Sequence, residues 1–278
     1  MDTRTTQLQY KVTNHRQPGD FMQKKVFFKN KHKERLCGIL HLPQKVPAPA
    51  VIVCHGFTSS KVKKEEWCEF LSEKGFVAMR FDFSGHGESQ GDFKNFTVTK
   101  CLDDTRAAVE FLKKKKLSMG IGMAGTSLGG NVLMIYAALN KIDAAVPIAA
   151  PFRLDDTEIM RDKEAMKSWK ETGFRYYAVR AEGWKRKKKP LNYNFITDRQ
   201  KYDMGRLSKK IKCPVLVIHG DKDDVVPVTH SQLYYRNIKS QKKLIVIKGA
   251  DHSIGDKIQD LNMILKEMNV WFSKYLKE

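Results

Sequence analysis

From Ala50 onward, short apolar runs alternate with longer amphipathic ones. Residues 50–55 predict a buried strand, and residues 63–74, with Trp67, Phe70 and Leu71 on one face, predict a helix. The alternation continues through strand 76–81, helix 97–116, strand 119–125, helix 128–140 and strand 144–149. In helix 97–116 the positions Val98, Leu102, Thr105, Val109 and Leu112 mark the buried stripe. Such alternation implies an α/β fold with a parallel sheet, right-handed crossovers and helices on both faces. Ahead of it, residues 24–29 and 35–42 alternate as a pair of antiparallel strands around a charged turn, while residues 1–22 are polar and irregular, an arm.

Between 152 and 210 the rhythm breaks. The segment is charged and aromatic, with helical stretches expected around 154–181 and strand character only near 182–196. Alternation resumes at Pro214 and ends in an amphipathic helix carrying Leu261, Ile264, Leu265, Met268, Phe272 and Tyr275. The expected organisation is a core built from residues 1–151 and 211–278, interrupted by an insertion at 152–210 that overhangs the sheet as a lid. No internal repeat or low-complexity linker is present.

The chemistry concentrates at Gly125-Thr126-Ser127-Leu128-Gly129, a G-x-S-x-G pattern between a predicted strand and a predicted helix. There the flanking glycines let a sharp turn lift the Ser127 hydroxyl above the sheet edge, at a helix N-terminus that favours developing negative charge. An activated serine needs a base and an orienting acid. Downstream, the apolar run 215–218 leads into an acidic turn with Asp221, Asp223 and Asp224, and the run 244–247 leads into a loop with His252. Among the histidines after Ser127, His219 lies within a strand and His230 on a helix too near Asp223, which leaves His252 as the base. Spacing alone does not separate the three acids.

The order Ser, Asp, His, each just past a predicted strand, resembles the α/β-hydrolase family. Upstream, Ala50-Val51-Ile52-Val53-Cys54-His55-Gly56-Phe57 looks like that family's strand and H-G-x loop, and Asp82-Phe83-Ser84-Gly85-His86-Gly87-Glu88-Ser89 like its D-x-x-G-H-G-x-S loop. Within the family the closest resemblance is to small intracellular carboxylesterases of the feruloyl or cinnamoyl type. Several of those carry a polar residue where this chain has Leu128, a difference that bears on acyl preference. The family pattern G-x-x-D-x-x-V-P, laid on Gly220, Asp223, Val226 and Pro227, selects Asp223 as the acid and leaves Asp221 to shape the turn. The resemblance implies oxyanion donors in the backbone N–H groups of Phe57 and Leu128. Asp82 and His86 are read as structural supports of their loop.

Composition narrows the partners. The 278 residues carry 51 Lys and Arg against 31 Asp and Glu, a formal net charge of +20. The run Lys113 to Lys116 closes a helix, where cations are favoured. The run Lys185 to Lys189, in contrast, is interleaved with Trp184, Tyr193 and Phe195, as a single-strand nucleic-acid surface would be. Lysine is nevertheless spread through almost every segment, so the charge reads as a basic surface and no nucleic acid is expected. No stretch is apolar enough to span a membrane, and because the first residues lack an apolar h-region no secretory signal is expected. Five scattered cysteines, without C-x-x-C spacing, point to reduced thiols and a cytoplasmic setting, with Cys54 a core residue. No spacing fits a metal, and no organic cofactor is implied.

The expected activity is hydrolysis of carboxylic esters, short to medium or aryl acyl, through an acyl-serine at Ser127, with Phe174, Tyr176, Tyr177, Trp184, Tyr193 and Phe195 as candidate pocket aromatics. A peptidase or acylaminoacyl hydrolase and an acyltransferase would use the same three residues, and a homo-oligomer is left open.

Overall fold

A computed structural model describes residues 22–153, 157–181, 185–255 and 258–277; the expected N-terminal arm and Trp184 lie outside the described residues. Eight strands form one sheet: β1 (Met22–Lys29), β2 (Arg35–Leu42), β3 (Ala48–Cys54), β4 (Val77–Phe81), β5 (Ser118–Thr126), β6 (Ala144–Ile148), β9 (Val215–Gly220) and β10 (Lys242–Ile247). Their spatial order is β1-β2-β4-β3-β5-β6-β9-β10. Strands β1 and β2 pair antiparallel, as does β2 with β4, and the rest of the sheet is parallel. This is the α/β parallel-sheet layout that the alternation predicts and the α/β-hydrolase architecture that the resemblance implies, with the first hairpin antiparallel across the charged turn as expected.

Strand residues of alternate parity serve two cores. In β3, Ala50, Ile52 and Cys54 enter one cluster and Val51 and Val53 the other; in β9, Val215 and Val217 separate from Leu216 and Ile218 in the same way. The first cluster is closed by α2 (Val98–Lys114), α3 (Leu128–Leu139) and α8 (Thr229–Asn237). The second is closed by α1 (Glu65–Glu73) and α9 (Ile258–Leu276), whose Leu261, Ile264, Leu265, Met268 and Phe272 are buried. The stripe predicted on α2 is buried throughout. Close packing reaches the backbone at Gly122, where a Cβ would meet the Phe272 ring at 2.7 Å.

Between β6 and β9 lie α4 (Glu158–Arg161), α5 (Lys163–Thr172), β7 (Phe174–Arg180), β8 (Arg186–Asn192), α6 (Asn194–Arg199) and α7 (Met204–Leu207). The helical expectation through residue 181 is corrected here. Gly173, at φ 81°, ends α5 in the left-handed conformation, and β7 follows at once, paired antiparallel with β8. Neither the exposed Phe174 and Tyr176 nor the half-buried Arg175 and Tyr177 makes an apolar run, so the alternation is masked in the sequence. The hairpin is stitched to the loops after β3 and β4. Arg180 N donates to Thr58 O at 2.9 Å, Gly87 N donates to Arg180 O at 3.1 Å, and Lys189 Nζ reaches Gly85 O at 2.9 Å.

Candidate active site

Strand β5 runs straight into the turn that carries Ser127, and α3 starts at the next residue. Ser127 adopts φ 54° and ψ −122°, a region strained for any residue with a Cβ. The turn is held by Ser127 N donating to Ile148 O at 2.8 Å and by Asn131 N donating to Ser127 O at 3.0 Å. Its flanks admit only glycine. A Cβ on Gly125 would lie 2.7 Å from Gly129 O, and one on Gly129 would lie 2.5 Å from the carbonyl oxygens of Cys54 and His55.

The ends of β5, β9 and β10 bring the three sequence-predicted side chains together. His252 Nε2 lies 3.1 Å from Ser127 Oγ, and His252 Nδ1 lies 2.7 Å from Asp223 Oδ2. With its proton on Nδ1, the imidazole donates to the carboxylate and turns its Nε2 lone pair to the hydroxyl. Of the three acids in the turn, only Asp223 is buried; Asp221 and Asp224 are exposed. Asp221 is engaged otherwise, accepting from Gly249 N at 2.6 Å, so it ties down the loop that carries His252 in addition to the turn it belongs to.

Asp223 is fully satisfied. Its Oδ1 accepts from Val225 N and Val226 N at 3.0 and 2.8 Å, while Oδ2 also receives His219 Nε2 at 3.1 Å. His219 Nε2 also faces the Val226 carbonyl at 2.8 Å, an acceptor, so that nitrogen carries the proton; Nδ1 then accepts from Ser231 Oγ at 2.6 Å. Burial pushes the Asp223 carboxyl up, but the hydrogen bonds from His219 and His252 outweigh it and hold the group well below the usual carboxylate range. Sequence reasoning set His219 aside as a strand residue. The available signal was a histidine between Ile218 and Gly220 in a core strand, which requires buried polar partners.

The loop after β3 approaches from the other side. A Cβ on Gly56 would lie 3.5 Å from Ser127 Cβ, which sets Phe57 beside the serine. The N–H groups of Phe57 and Leu128 donate to no carbonyl among the described residues. Behind them, Asp82 accepts from Lys61 N and Glu88 N at 2.8 and 3.0 Å, and His86 packs on Phe93 and Phe96, so both brace loops away from Ser127. Cys54 is buried, its thiol pushed up to about 12 by burial. Cys37, Asp82 and Glu88 come within ligand distance of one another, a grouping invisible in the sequence spacing, but the Lys61 ammonium lies against both carboxylates and Lys25 pairs with Glu88, so two cations balance the two acids.

Ser127 and His252 open into a cavity of about 660 Å³ lined by Phe57, Leu128, Tyr177 and Phe195 among others. Phe57 stacks on Phe195 at 5.3 Å and meets the Tyr177 ring edge-on at 5.0 Å. Of the other aromatics expected there, Phe174 and Tyr176 are exposed on the opposite face of the hairpin, and Tyr193 packs on Trp169 instead. Arg175, which sequence reasoning passed over, lines the cavity. The run at 185–189 enters β8 and points largely to solvent.

The chain is 25% identical over 210 residues to the uncharacterized protein YqkD of Bacillus subtilis, a match that covers 73% of this chain but only 65% of that protein. It is 26% identical over 224 residues to the human mitochondrial palmitoyl-protein thioesterase ABHD10, covering 76% and 69% of the two chains. Among solved structures it is similar to Est1E of Butyrivibrio proteoclasticus with ferulic acid bound, at TM-score 0.71 and 25% identity over 91% of this chain and all of that one. Among the described residues no helix is long and apolar enough to cross a membrane. A family profile described as serine aminopeptidase, S33, matches residues 45–204 and 199–256, on the same sheet and serine turn described above. The chain therefore belongs to the serine aminopeptidase S33 family and is an enzyme of the α/β-hydrolase type.

Proposed function

We propose that the protein hydrolyses carboxylic esters of short to medium or aryl acyl groups through an acyl-serine intermediate on Ser127. The observation that carries this reading is the hydrogen-bond chain Ser127–His252–Asp223 opening into an aromatic cavity. His252 Nε2 takes the Ser127 proton as Oγ bonds to the acyl carbon. The carbonyl oxygen becomes an oxyanion, which the N–H groups of Phe57 and Leu128 receive; that these donate to no carbonyl among the described residues supports this role. Collapse breaks the bond to the leaving oxygen, which collects the proton from His252. Water then repeats the sequence in reverse: it gives a proton to His252, adds to the acyl carbon, and the acid departs as Ser127 recovers its hydrogen. Throughout, Asp223 stays ionised and stabilises the imidazolium.

Two other leaving groups use the same residues. A thioester is favoured by the relative described as a palmitoyl-protein thioesterase, and needs only the weaker C–S bond to break. An aminopeptidase, as the family description names, would have to hold a substrate ammonium. Glu158 and Asp162 are exposed at the cavity rim, whereas the charged side chain of β7 on the cavity wall is the cation Arg175, which opposes an ammonium there. The residues at 152–210 are proposed to act as the lid of this cavity. Five free cysteines, all buried, support a reducing, cytoplasmic setting. The test is a panel of 4-nitrophenyl esters, acyl thioesters and aminoacyl anilides with purified protein, together with fluorophosphonate labelling. Aryl or medium acyl esters turned over severalfold faster than acetate, with label on Ser127, is the expected outcome. Anilides as the best substrates would replace the esterase reading with the peptidase one.

A further inference from the structure

Strand β7 sorts its side chains by parity. Arg175, Tyr177 and Val179 are half-buried or buried, whereas Phe174, Tyr176 and Ala178 are exposed. Arg175 thereby lines the same cavity as Ser127 and His252, with its guanidinium carbon 5.5 Å from the Tyr177 ring centroid. Among the described residues no carboxylate lies within ion-pair distance of it. Of the acids on that cavity, Asp162 is spent capping α5 through Ala165 N, at 2.9 Å, and Glu158 sits at the exposed rim. Among the described residues the buried Tyr177 hydroxyl beside it meets no hydrogen-bond partner, a second unspent polar group on the same wall. A partly desolvated cation without an acid is costly, and a ligand that brings its own carboxylate offsets that cost.

We propose that Arg175 selects substrates, so that the physiological ester carries a carboxylate on its acyl or alcohol portion. This rests on the acyl-serine reading above. The aromatic rings of Phe57, Phe195 and Tyr177 line the spacer, and the guanidinium fork binds the far carboxylate. A contact of this kind differs from the diffuse attraction of a +20 surface, because exposed charges are screened within roughly 10 Å at 0.1 M salt while a partly buried pair is screened less.

The experiment compares the 4-nitrophenyl monoester of a dicarboxylic acid such as glutaric or adipic acid with the neutral ester of matching length. Wild type, Arg175→Gln and Arg175→Lys are assayed at low and at high ionic strength. Wild type should favour the charged ester by roughly tenfold in kcat/KM, the scale of one hydrogen bond to a charged group. Arg175→Gln should lose that preference, its kcat/KM falling more toward the charged ester than toward the neutral one, and Arg175→Lys should keep part of it. The difference between wild type and Arg175→Gln should survive high salt. An equal loss toward both esters would assign Arg175 to covering the Tyr177 ring, and a preference abolished by salt in wild type would assign it to the general field. Neutral turnover without any preference overturns this inference alone. No turnover of either ester, with no label on Ser127, overturns both readings.

Discussion

His219 and His252 converge on one oxygen. Both reach Asp223 Oδ2, His219 through Nε2 at 3.1 Å and His252 through Nδ1 at 2.7 Å. The carboxylate is thus held from two sides, by a fixed core histidine and by a loop histidine that faces the serine.

That arrangement makes His219 a positioning residue. In His219→Phe, whose ring fills a similar space without an N–H, Asp223 loses a donor and a brace, and kcat should fall roughly tenfold to a hundredfold, the value of one hydrogen bond to a charged group. The Asp223 carboxyl, held well below the usual carboxylate range in wild type, should also become easier to protonate, so the loss relative to wild type should widen at the acid end of the kcat/KM profile. An unchanged profile, measured alongside unchanged urea stability, would show that Asp223 stands without His219.

For the acids the expected order is steep. Asp223→Asn should cost roughly 10³ to 10⁴ in kcat, since the amide cannot hold the Nδ1–H tautomer. Asp221→Asn weakens the tie to Gly249 N and should raise proteolysis or exchange in the 249–253 loop with a smaller kinetic loss. Asp224→Asn, at an exposed position, should be nearly silent. Steady-state kinetics of the three variants ranks them, and a larger loss at Asp224 than at Asp223 would move the assignment.

Replacing Ser127 separates chemistry from strain. Ser127→Ala should remove on the order of 10⁴ to 10⁶ of kcat and leave the backbone still strained at φ 54°. Ser127→Gly should be equally inactive yet more resistant to urea than Ser127→Ala by roughly 1 kcal/mol, because glycine adopts that region freely. Equal unfolding midpoints would mean that the turn stores no strain.

Acid stability should be governed by buried neutral histidines. His55 Nε2 accepts from Phe83 N at 3.1 Å and His41 Nε2 accepts from Arg80 Nε at 2.9 Å, so protonation of either breaks a buried bond. Burial pushes His55 down to about 4, and burial with the Arg80 charge pushes His41 down to about 3, from an ordinary 6.5. Their folded values lie below the unfolded one, so this stability is full above pH 6.5 and is lost as pH falls toward 4 and 3. Each contributes on the order of 3 kcal/mol. Asp104 acts in the opposite direction: burial raises it to about 6, so its contribution is present below the unfolded value and lost as pH rises through 6. Two histidines outweigh one aspartate, and urea midpoints should fall steeply below about pH 5. A midpoint flat down to about pH 4 would mean these histidines are not buried in neutral form.

The legible parts of the chain were those where one periodicity dominates. Strands such as 50–54 and 215–218 are apolar on both faces, because both faces are covered, and they stand out against the amphipathic helices beside them. Ser127 and Asp223 were legible because each follows such a strand closely, and His252 because the apolar run 244–247 of the edge strand leads into its loop. Strand β8 falls in the stretch 182–196 where strand character was expected, but β7 was not legible, because it covers a cavity with one face and meets solvent with the other, and aromatic and basic residues occupy both. His219 escaped for the opposite reason: its surroundings are those of an ordinary core strand, and the partner that gives it meaning is four residues on, beyond a turn whose geometry spacing does not reveal.

The bonds at the base of that hairpin have a consequence for traffic. Arg180 is joined through its own N–H and carbonyl to Thr58 and Gly87, and Thr58 is the immediate neighbour of Phe57. Swinging the hairpin outward from this base would drag the Phe57 amide away from Ser127, so the route by which a substrate arrives must leave that corner shut. The opposite rim is clasped as well, where Glu158 N donates to Val225 O at 2.9 Å beside the exposed Arg161 and Asp162, so main-chain bonds tie both flanks of the cavity. The Phe57 amide therefore keeps its place beside Ser127 only as long as the hairpin base holds its bonds to Thr58 and Gly87.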